Sequence, residues 1–435
     1  MSNANPPQTS PGSPRRQFLK TAGAAGLIAA TTPHRFVVAA NQTNRANWWG
    51  WRGPNGNNIA PAGSSTPDNP AKSIRWECPI PGRGHCSPIV VGDLVVVSTA
   101  DKPAGTQSVI AVDRTKGKIA WNRVVHESGI PAENHGNNTE ASPTMAFDGN
   151  RLFVSFYNDN AVRLSTLDLS GNLGGTKMAG AYNPQQFKYG YAASPVIDQK
   201  NGTVVVVGDY DGSPFLTAID RKNGRSRWTV KRPVTISFST PALADVGSKQ
   251  RLLLSGAGRV VSYDAATGRV DWETKCTTMA TCGTMVWNNE LVFASGGYPK
   301  RETVALNART GSIVWQNRVR CYEQSMVCSG DHLYAMDDSG IAYCWDAASG
   351  DERWKQRLGG PVSSSPVLIG NTIHVCNERG THFAFAANPQ RFQLLDKTKL
   401  ADSIFPTPCI VGNRTYYRYA KGDGGNRQEY IAEIG

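Results

Sequence analysis

Ala305-Leu306-Asn307-Ala308-Arg309-Thr310-Gly311-Ser312-Ile313-Val314-Trp315 decides the fold. The stretch is one of five copies of a single pattern: a small residue, Asp or Asn two later, Gly six later, Trp ten later. The other copies run from Ala111 to Gly117 and Trp121, Ala218 to Gly224 and Trp228, Ser262 to Gly268 and Trp272, and Cys344 to Gly350 and Trp354. This is the grammar of a hairpin. A β-run ends at the Asp or Asn, the Gly supplies the positive φ of the turn, and the Trp opens the return strand. The Asp side chain is expected to cap turn amides rather than to do chemistry.

A second signal precedes each hairpin. Apolar runs start at Ser87-Pro88, Ser142-Pro143, Ser194-Pro195, Thr240-Pro241, Gly283-Thr284, Ser325-Met326, Ser365-Pro366 and Thr407-Pro408. Each leads into a β-branched or aromatic strand such as Leu94–Val97, Val204–Val207 or Thr372–Val375. Every unit therefore holds four strands, A to D, in about 40 to 50 residues, which is the period of a propeller blade.

The chain ends complete the count. The last unit, from Thr407, supplies strands A to C and lacks a D strand. Residues 73–80 carry Trp76 on a D-type strand that stands alone before the first A strand. Pairing the two closes an all-β, eight-bladed β-propeller over residues 73–435 and removes the exposed sheet edge. Two blades depart from the pattern. Residues 171–186 replace the Trp strand of the second blade, and Phe392 stands for Trp in the seventh.

Composition agrees with a packed β protein. Hydrophobic residues make up 40% and charged residues 18%, with 11 Trp, 14 Tyr and 13 Phe, far from a disordered composition. Lys and Arg exceed Asp and Glu by 46 to 34, a net charge of +12. No run of more than two basic residues exists, so a nucleic-acid partner is not expected. Residues 1–40 read as a twin-arginine signal peptide. Arg15-Arg16-Gln17-Phe18-Leu19-Lys20 is followed by a small-residue apolar stretch and by Val38-Ala39-Ala40. That stretch is too short to span a bilayer, so the mature chain is expected to hold no transmembrane span. The expected location is the periplasm or cell envelope. Residues 41–72 form an extension rich in Trp, Gly, Pro and Asn, whose Trp48, Trp49 and Trp51 are expected to pin it to the flank or floor of the ring.

Nine cysteines, at 78, 86, 276, 282, 321, 328, 344, 376 and 409, leave two readings. The pairs Cys78/Cys86, Cys276/Cys282 and Cys321/Cys328 could bridge outside the cytoplasm, or the thiols are small buried strand residues.

The repeat resembles that of quinoprotein-like propellers, and the resemblance covers roughly residues 45–435. Trp51-Arg52-Gly53-Pro54-Asn55-Gly56 resembles the N-terminal signature of exported bacterial proteins of this class. The family holds pyrroloquinoline quinone (PQQ) dehydrogenases and non-enzymatic envelope propellers of the BamB outer-membrane assembly type. The resemblance implies that the Trp and Gly residues, Trp76 included, are blade-docking positions and not cofactor ligands. The dehydrogenases add a Cys-Cys pair, a calcium-binding Glu/Asn pair and an Asp base, and this sequence has no Cys-Cys dipeptide.

Two residues before each A-strand start stand His85, Glu140, Ala192, Phe238, Thr281, Glu323, Ser363 and Phe405, an expected axial ring. The connection 124–141 adds His126, Glu133, His135 and three Asn. Long polar loops on rigid scaffolds are where function concentrates. The expected function is a monomeric, non-catalytic binding or scaffold module in the envelope, with a protein or anionic polymer as partner and no cofactor. The alternative is an oxidoreductase using PQQ with calcium near His85, His135, Glu140 and Glu323.

Overall fold

The computed structural model describes residues 47–247 and 249–435, so the expected signal peptide, residues 1–40, lies outside the described residues. They form eight four-stranded antiparallel sheets. Blade one is built from Ile89–Val91, Leu94–Asp101, Thr106–Asp113 and Lys118–His126. Inner strands such as Leu94–Asp101 are sandwiched between neighbouring sheets and buried on both faces, which is why they read as unbroken Val runs rather than alternating ones. Outer strands such as Glu352–Arg357 bury only Trp354 and otherwise face solvent.

Blade eight joins the two ends of the described chain. Ile74–Ile80 pairs antiparallel with Gln428–Ile434, with Trp76 opposite Glu433 and Ile80 opposite Glu429. The ring closes as the sequence predicts.

The repeat residues carry the docking between blades. The Trp of each of the five hairpins sits opposite the small residue of the C strand, beside a bulge, as Ala111 faces Trp121 and Ala305 faces Trp315, whereas Trp76 faces Glu433. Each indole Nε1 donates to a turn carbonyl of the next blade. Trp76 reaches Arg114 at 3.0 Å, Trp228 reaches Ala265 at 3.2 Å, Trp272 reaches Ala308 at 3.1 Å and Trp315 reaches Ala347 at 2.8 Å. Trp121 and Trp354 do the same to Leu169 and Asn388. The glycine of the receiving turn lies flat under that indole. A Cβ on Gly117, Gly268, Gly311 or Gly350 would come within 2.7 Å of a Trp ring atom. The Asp residues cap their turns, as expected. Asp113 Oδ1 accepts from the Thr115 and Lys116 amides, and Asp264 and Asp346 repeat the contact.

Two sequence readings need correction, and the two readings of the cysteines resolve to the buried, unbridged one. Blade two keeps an outer strand, Leu173–Ala181, with Gly175 in the register position that Trp holds elsewhere. The missing docking bond comes from elsewhere in the blade: Arg151, in the turn before the strand Leu152–Asn158, donates Nη2–H to the Arg221 carbonyl, the counterpart of the Arg114 and Ala265 carbonyls. In blade seven the docking register belongs to Asp396, opposite Ala384, because the turn is two residues longer. Phe392 lies before the strand and packs on Trp354. All nine cysteines are free. Cys86 shows why: its sulfur accepts from the Ser98 amide at 3.2 Å and from the Arg418 guanidinium at 3.0 Å, deep between blades eight and one.

Candidate functional site

The A strands converge on a belt of hydroxyls around the axis. The amide of Ser87 donates to Thr144 Oγ1, Thr144 to Ser194, Ser194 to Thr240, Thr284 to Ser325, Ser325 to Ser365 and Ser365 to Thr407, all at 2.9 Å. Thr407 returns to Ser87 Oγ at 3.1 Å. One link is replaced. Thr284 Oγ1 accepts instead from Trp51 Nε1, at 2.8 Å.

The extension thus closes the channel. Residues 47–66 cross the ring as a strap. Trp48 exchanges backbone bonds with Val90 and the Phe147 amide donates to the Trp49 carbonyl. Buried Arg52 donates to Met326 O at 2.8 Å, Asn58 Nδ2 to Pro366 O at 3.0 Å, and the Ala60 amide to Leu368 O. Pinning to the floor is the observed role of Trp48 and Trp51, whereas the Trp49 side chain is exposed and only its backbone is tied. Trp51 lines an axial cavity of about 260 Å³ on one side of the belt and a second, of about 460 Å³, beside the strap.

The belt also corrects the expected axial ring. Counting two residues back from each hydroxyl gives His85, Ser142, Ala192 and Phe238, then Cys282, Glu323, Ser363 and Phe405, and all eight line the axial cavity. Glu140 and Thr281 do not. Ser142-Pro143 mimics the Ser-Pro of other blades, but Thr144 is the belt residue, so the second blade is out of frame by two. Glu140 instead pairs with Lys102 at 3.2 Å. Thr281 is buried among Ser237, Ser239 and Ser255.

His135 and Glu323 meet at the mouth through the long loop that follows His126. Asn137 Nδ2 donates to Glu323 Oε1 at 3.3 Å, from blade one to blade six, so residues 127–141 roof the opening. His135 packs edge-on against Tyr189 at 5.0 Å, and its Nδ1 accepts from the Asn137 amide at 3.2 Å. His85 stacks on Phe405 at 4.2 Å. Its Nδ1 faces the Asn137 carbonyl at 3.0 Å, and a carbonyl only accepts, so Nδ1 carries the proton. Burial, then Arg83 and Arg418, push the imidazole well below its ordinary range. The neutral ring leaves Nε2 as a bare acceptor without a partner.

Opposite lies an acidic wall. Ser363 Oγ stands 2.6 Å from Glu323 Oε2 and 2.7 Å from Glu378 Oε1. Burial, together with the charges of Glu323 and Asp338, raises the Glu378 pKa, although the Ser363 bond opposes this. Trp51, Tyr189, Phe238 and Tyr322 supply aromatic surface, and no Lys or Arg is among the described lining residues.

The family profile described as outer membrane protein assembly factor BamB matches residues 67–181, 185–299 and 299–399. The chain belongs to the BamB family. A curated member of that name from Legionella pneumophila (strain Paris) is 24% identical over 113 residues, 26% of this chain and 29% of that protein, so the match spans under a third of the relative's length. The solved BamB from Moraxella catarrhalis superposes with a TM-score of 0.60 at 15% identity, over 83% of this chain and 99% of that one. Two oxidoreductases share the architecture. A europium-containing methanol dehydrogenase gives a TM-score of 0.64 at 12% identity, over 90% and 99% of the two chains. The quinohemoprotein alcohol dehydrogenase from Comamonas testosteroni gives 0.65 at 12%, over 91% and 82%. At such identities the likeness is one of fold.

The quinone that the architecture suggests is a tricarboxylate, and the lining of this BamB-family chain does not suit it. A carboxylate-rich ligand calls for cationic donors, whereas the charged lining residue is Glu323 with Glu378 behind it. Among the described residues no group of three or more His, Cys, Asp or Glu could hold a metal ion.

A second polar array lies in blade seven, where Asp396 takes the docking position. Asp396 Oδ2 is 3.0 Å from His382 Nδ1, His382 Nε2 is 3.1 Å from His374 Nδ1, and His374 Nε2 is 3.3 Å from Thr66 Oγ1. The chain of bonds runs from the sheet to the strap. Sequence reading missed it because the four side chains come from three strands and a loop.

Proposed function

We propose that the protein is an exported binding and scaffold module of the cell envelope, without chemistry of its own. It acts as an assembly factor and engages a protein or an anionic polymer at its axial face. The observation that carries this reading is the BamB profile running through three successive segments. The mouth supports it. Neither His85 nor His135 contacts a hydroxyl or carboxylate that it could activate, and their rings instead pack on Phe405 and Tyr189. The roof loop of residues 127–141 offers a partner a broad polar surface on a rigid ring. No helix among the described residues is long and apolar enough to cross a membrane.

Two measurements test the reading. Mature protein from an exporting host that makes PQQ is expected to show a plain protein absorption spectrum and no stoichiometric calcium. A quinone band with calcium would replace the scaffold reading with the oxidoreductase one. Replacing residues 127–141 by a short Gly-Ser linker is expected to abolish recovery of the envelope partner. Undiminished recovery would remove the axial face from the account.

A further inference from the structure

We propose that the axial cavity binds an organic cation, an ammonium or guanidinium group on a body the size of one ring or one short chain. The inference rests on the reading of the axial face as a binding face and names the chemistry that face accepts.

Four observations carry it. The first is proton counting at the acidic wall. Ser363 has one hydroxyl proton, yet its oxygen lies within hydrogen-bond distance of carboxylate oxygens of both Glu323 and Glu378. One proton cannot serve both contacts, so the wall is complete only when a further proton or a cation joins it. The second is the neutral wall on the other side. His85 lines the cavity with Nδ1 donating to the Asn137 carbonyl, and its burial-neutralised ring brings no charge of its own to repel a cation.

The third is the aromatic surface. Trp51 forms the floor, and Phe238, Tyr322 and Tyr189 stand around the walls. Ring faces attract cations, most strongly where water is excluded. The fourth is the lining itself, which holds no Lys or Arg among the described residues, the nearest guanidiniums, of Arg83 and Arg418, acting on His85 from outside it. Arg418 lies behind His85 and is tied to Glu429 at 3.0 Å. A volume of about 260 Å³ falls just under the usual range of roughly 300–1,000 Å³ for drug-sized ligands, which suits a small amine.

The same chemistry comes from two sources, a free small amine or a Lys or Arg side chain on a partner's loop. Calorimetric titration of the full mature chain with benzylamine, benzyl alcohol, N-acetyl-lysine amide and N-acetyl-arginine amide separates them. Benzylamine is expected to bind one to one, at least tenfold more tightly than benzyl alcohol, and Glu323→Gln is expected to weaken it tenfold or more. Phe238→Leu keeps the acidic wall and trims the aromatic one, with a several-fold loss expected, so it carries the test should the Glu323 variant not fold. Binding of the capped amino acids as tight as that of benzylamine assigns the site to a partner's side chain, and their failure beside a bound benzylamine assigns it to a free amine. Equal affinity for the alcohol, an undiminished Glu323→Gln, or no amine binding overturns the proposal. Amine binding without envelope-partner recovery would sink the scaffold reading alone, and partner recovery without amine binding would sink this inference alone.

Discussion

Gly224 and Gly268 occupy the same turn position with nearly the same backbone, φ +70° and +73°, yet they have different neighbours. Alanine at either site pays for a left-handed conformation, about 1–2 kcal/mol, and gains the same small amount from a stiffer unfolded chain. These contributions cancel in the difference between the two variants. At Gly268 the new methyl carbon would lie 2.5 Å from Trp228 Cε3, so the indole must move off its carbonyl. At Gly224 nothing lies within 4 Å, because blade two offers Gly175 where a Trp would stand. Overpacking of this kind costs about 1–3 kcal/mol, so Gly268→Ala is expected to exceed Gly224→Ala by that amount. For a ring of roughly 390 residues, each kcal/mol shifts Tm by about 1 °C. Equilibrium urea titration followed by Trp fluorescence is therefore the better assay. Gly311→Ala, with its methyl 2.5 Å from Trp272, repeats the test in another blade. If the three variants agree within about 0.5 kcal/mol, indole-on-glycine docking is not what joins the blades.

Arg151→Ala should lower stability by about 1–3 kcal/mol, the cost of leaving the Arg221 carbonyl without its donor. Arg163→Ala, which breaks an exposed pair with Asp159 at 2.7 Å, should change it by less than about 1 kcal/mol. Equal losses on urea titration would contradict the assignment of Arg151 as the stand-in for Trp. Acid should weaken the fold before the carboxylates titrate. Burial depresses His374 to about 3 and His126 to about 4, and also lowers His85. These rings stay neutral in the fold and take up protons when unfolded. Stability is therefore full above about pH 6.5 and falls as pH drops from there toward the folded values, by up to about 1.4 kcal/mol per pH unit for enclosed His374. Urea midpoints that stay flat between pH 7 and pH 5 would refute this. Ellman titration is expected to find nine thiols in denatured protein and few in native protein, since eight of the nine are buried. A deficit of two or more thiols after denaturation that a reductant restores would point to a bridge.

Local rules made the ring legible. The Trp, the Gly and the Asp of each hairpin act within eleven residues of one another or on the adjacent blade, so the pattern survives in a single sequence. The site was half legible for a physical reason. His85, Glu323, Ser363 and Phe405 follow from the spacing before each A strand, and they line the cavity. Glu140 was misplaced because Ser142-Pro143 imitates the start of a blade, and the belt hydroxyl that sets the true frame, Thr144, shows itself only through its bond to Ser87. Arg151 was invisible for a related reason. It replaces a side chain of another strand, and no spacing rule links the two. Asp396 was hidden by a longer turn that displaced the register.

Blade eight has a consequence for synthesis. Its outermost strand is among the first parts of the ring to leave the ribosome, and the strand it pairs with, Gln428–Ile434, is the last. Trp76 meanwhile has to reach Arg114 on blade one. Each blade from one to seven can assemble as it emerges, but the circle stays open until Gln428–Ile434 has emerged. A chain stalled or clipped before that strand would expose two raw strand edges at once. Emergence of Gln428–Ile434 is thus registered as closure of the ring, so a copy that lacks this strand differs from a closed one in shape as well as in length.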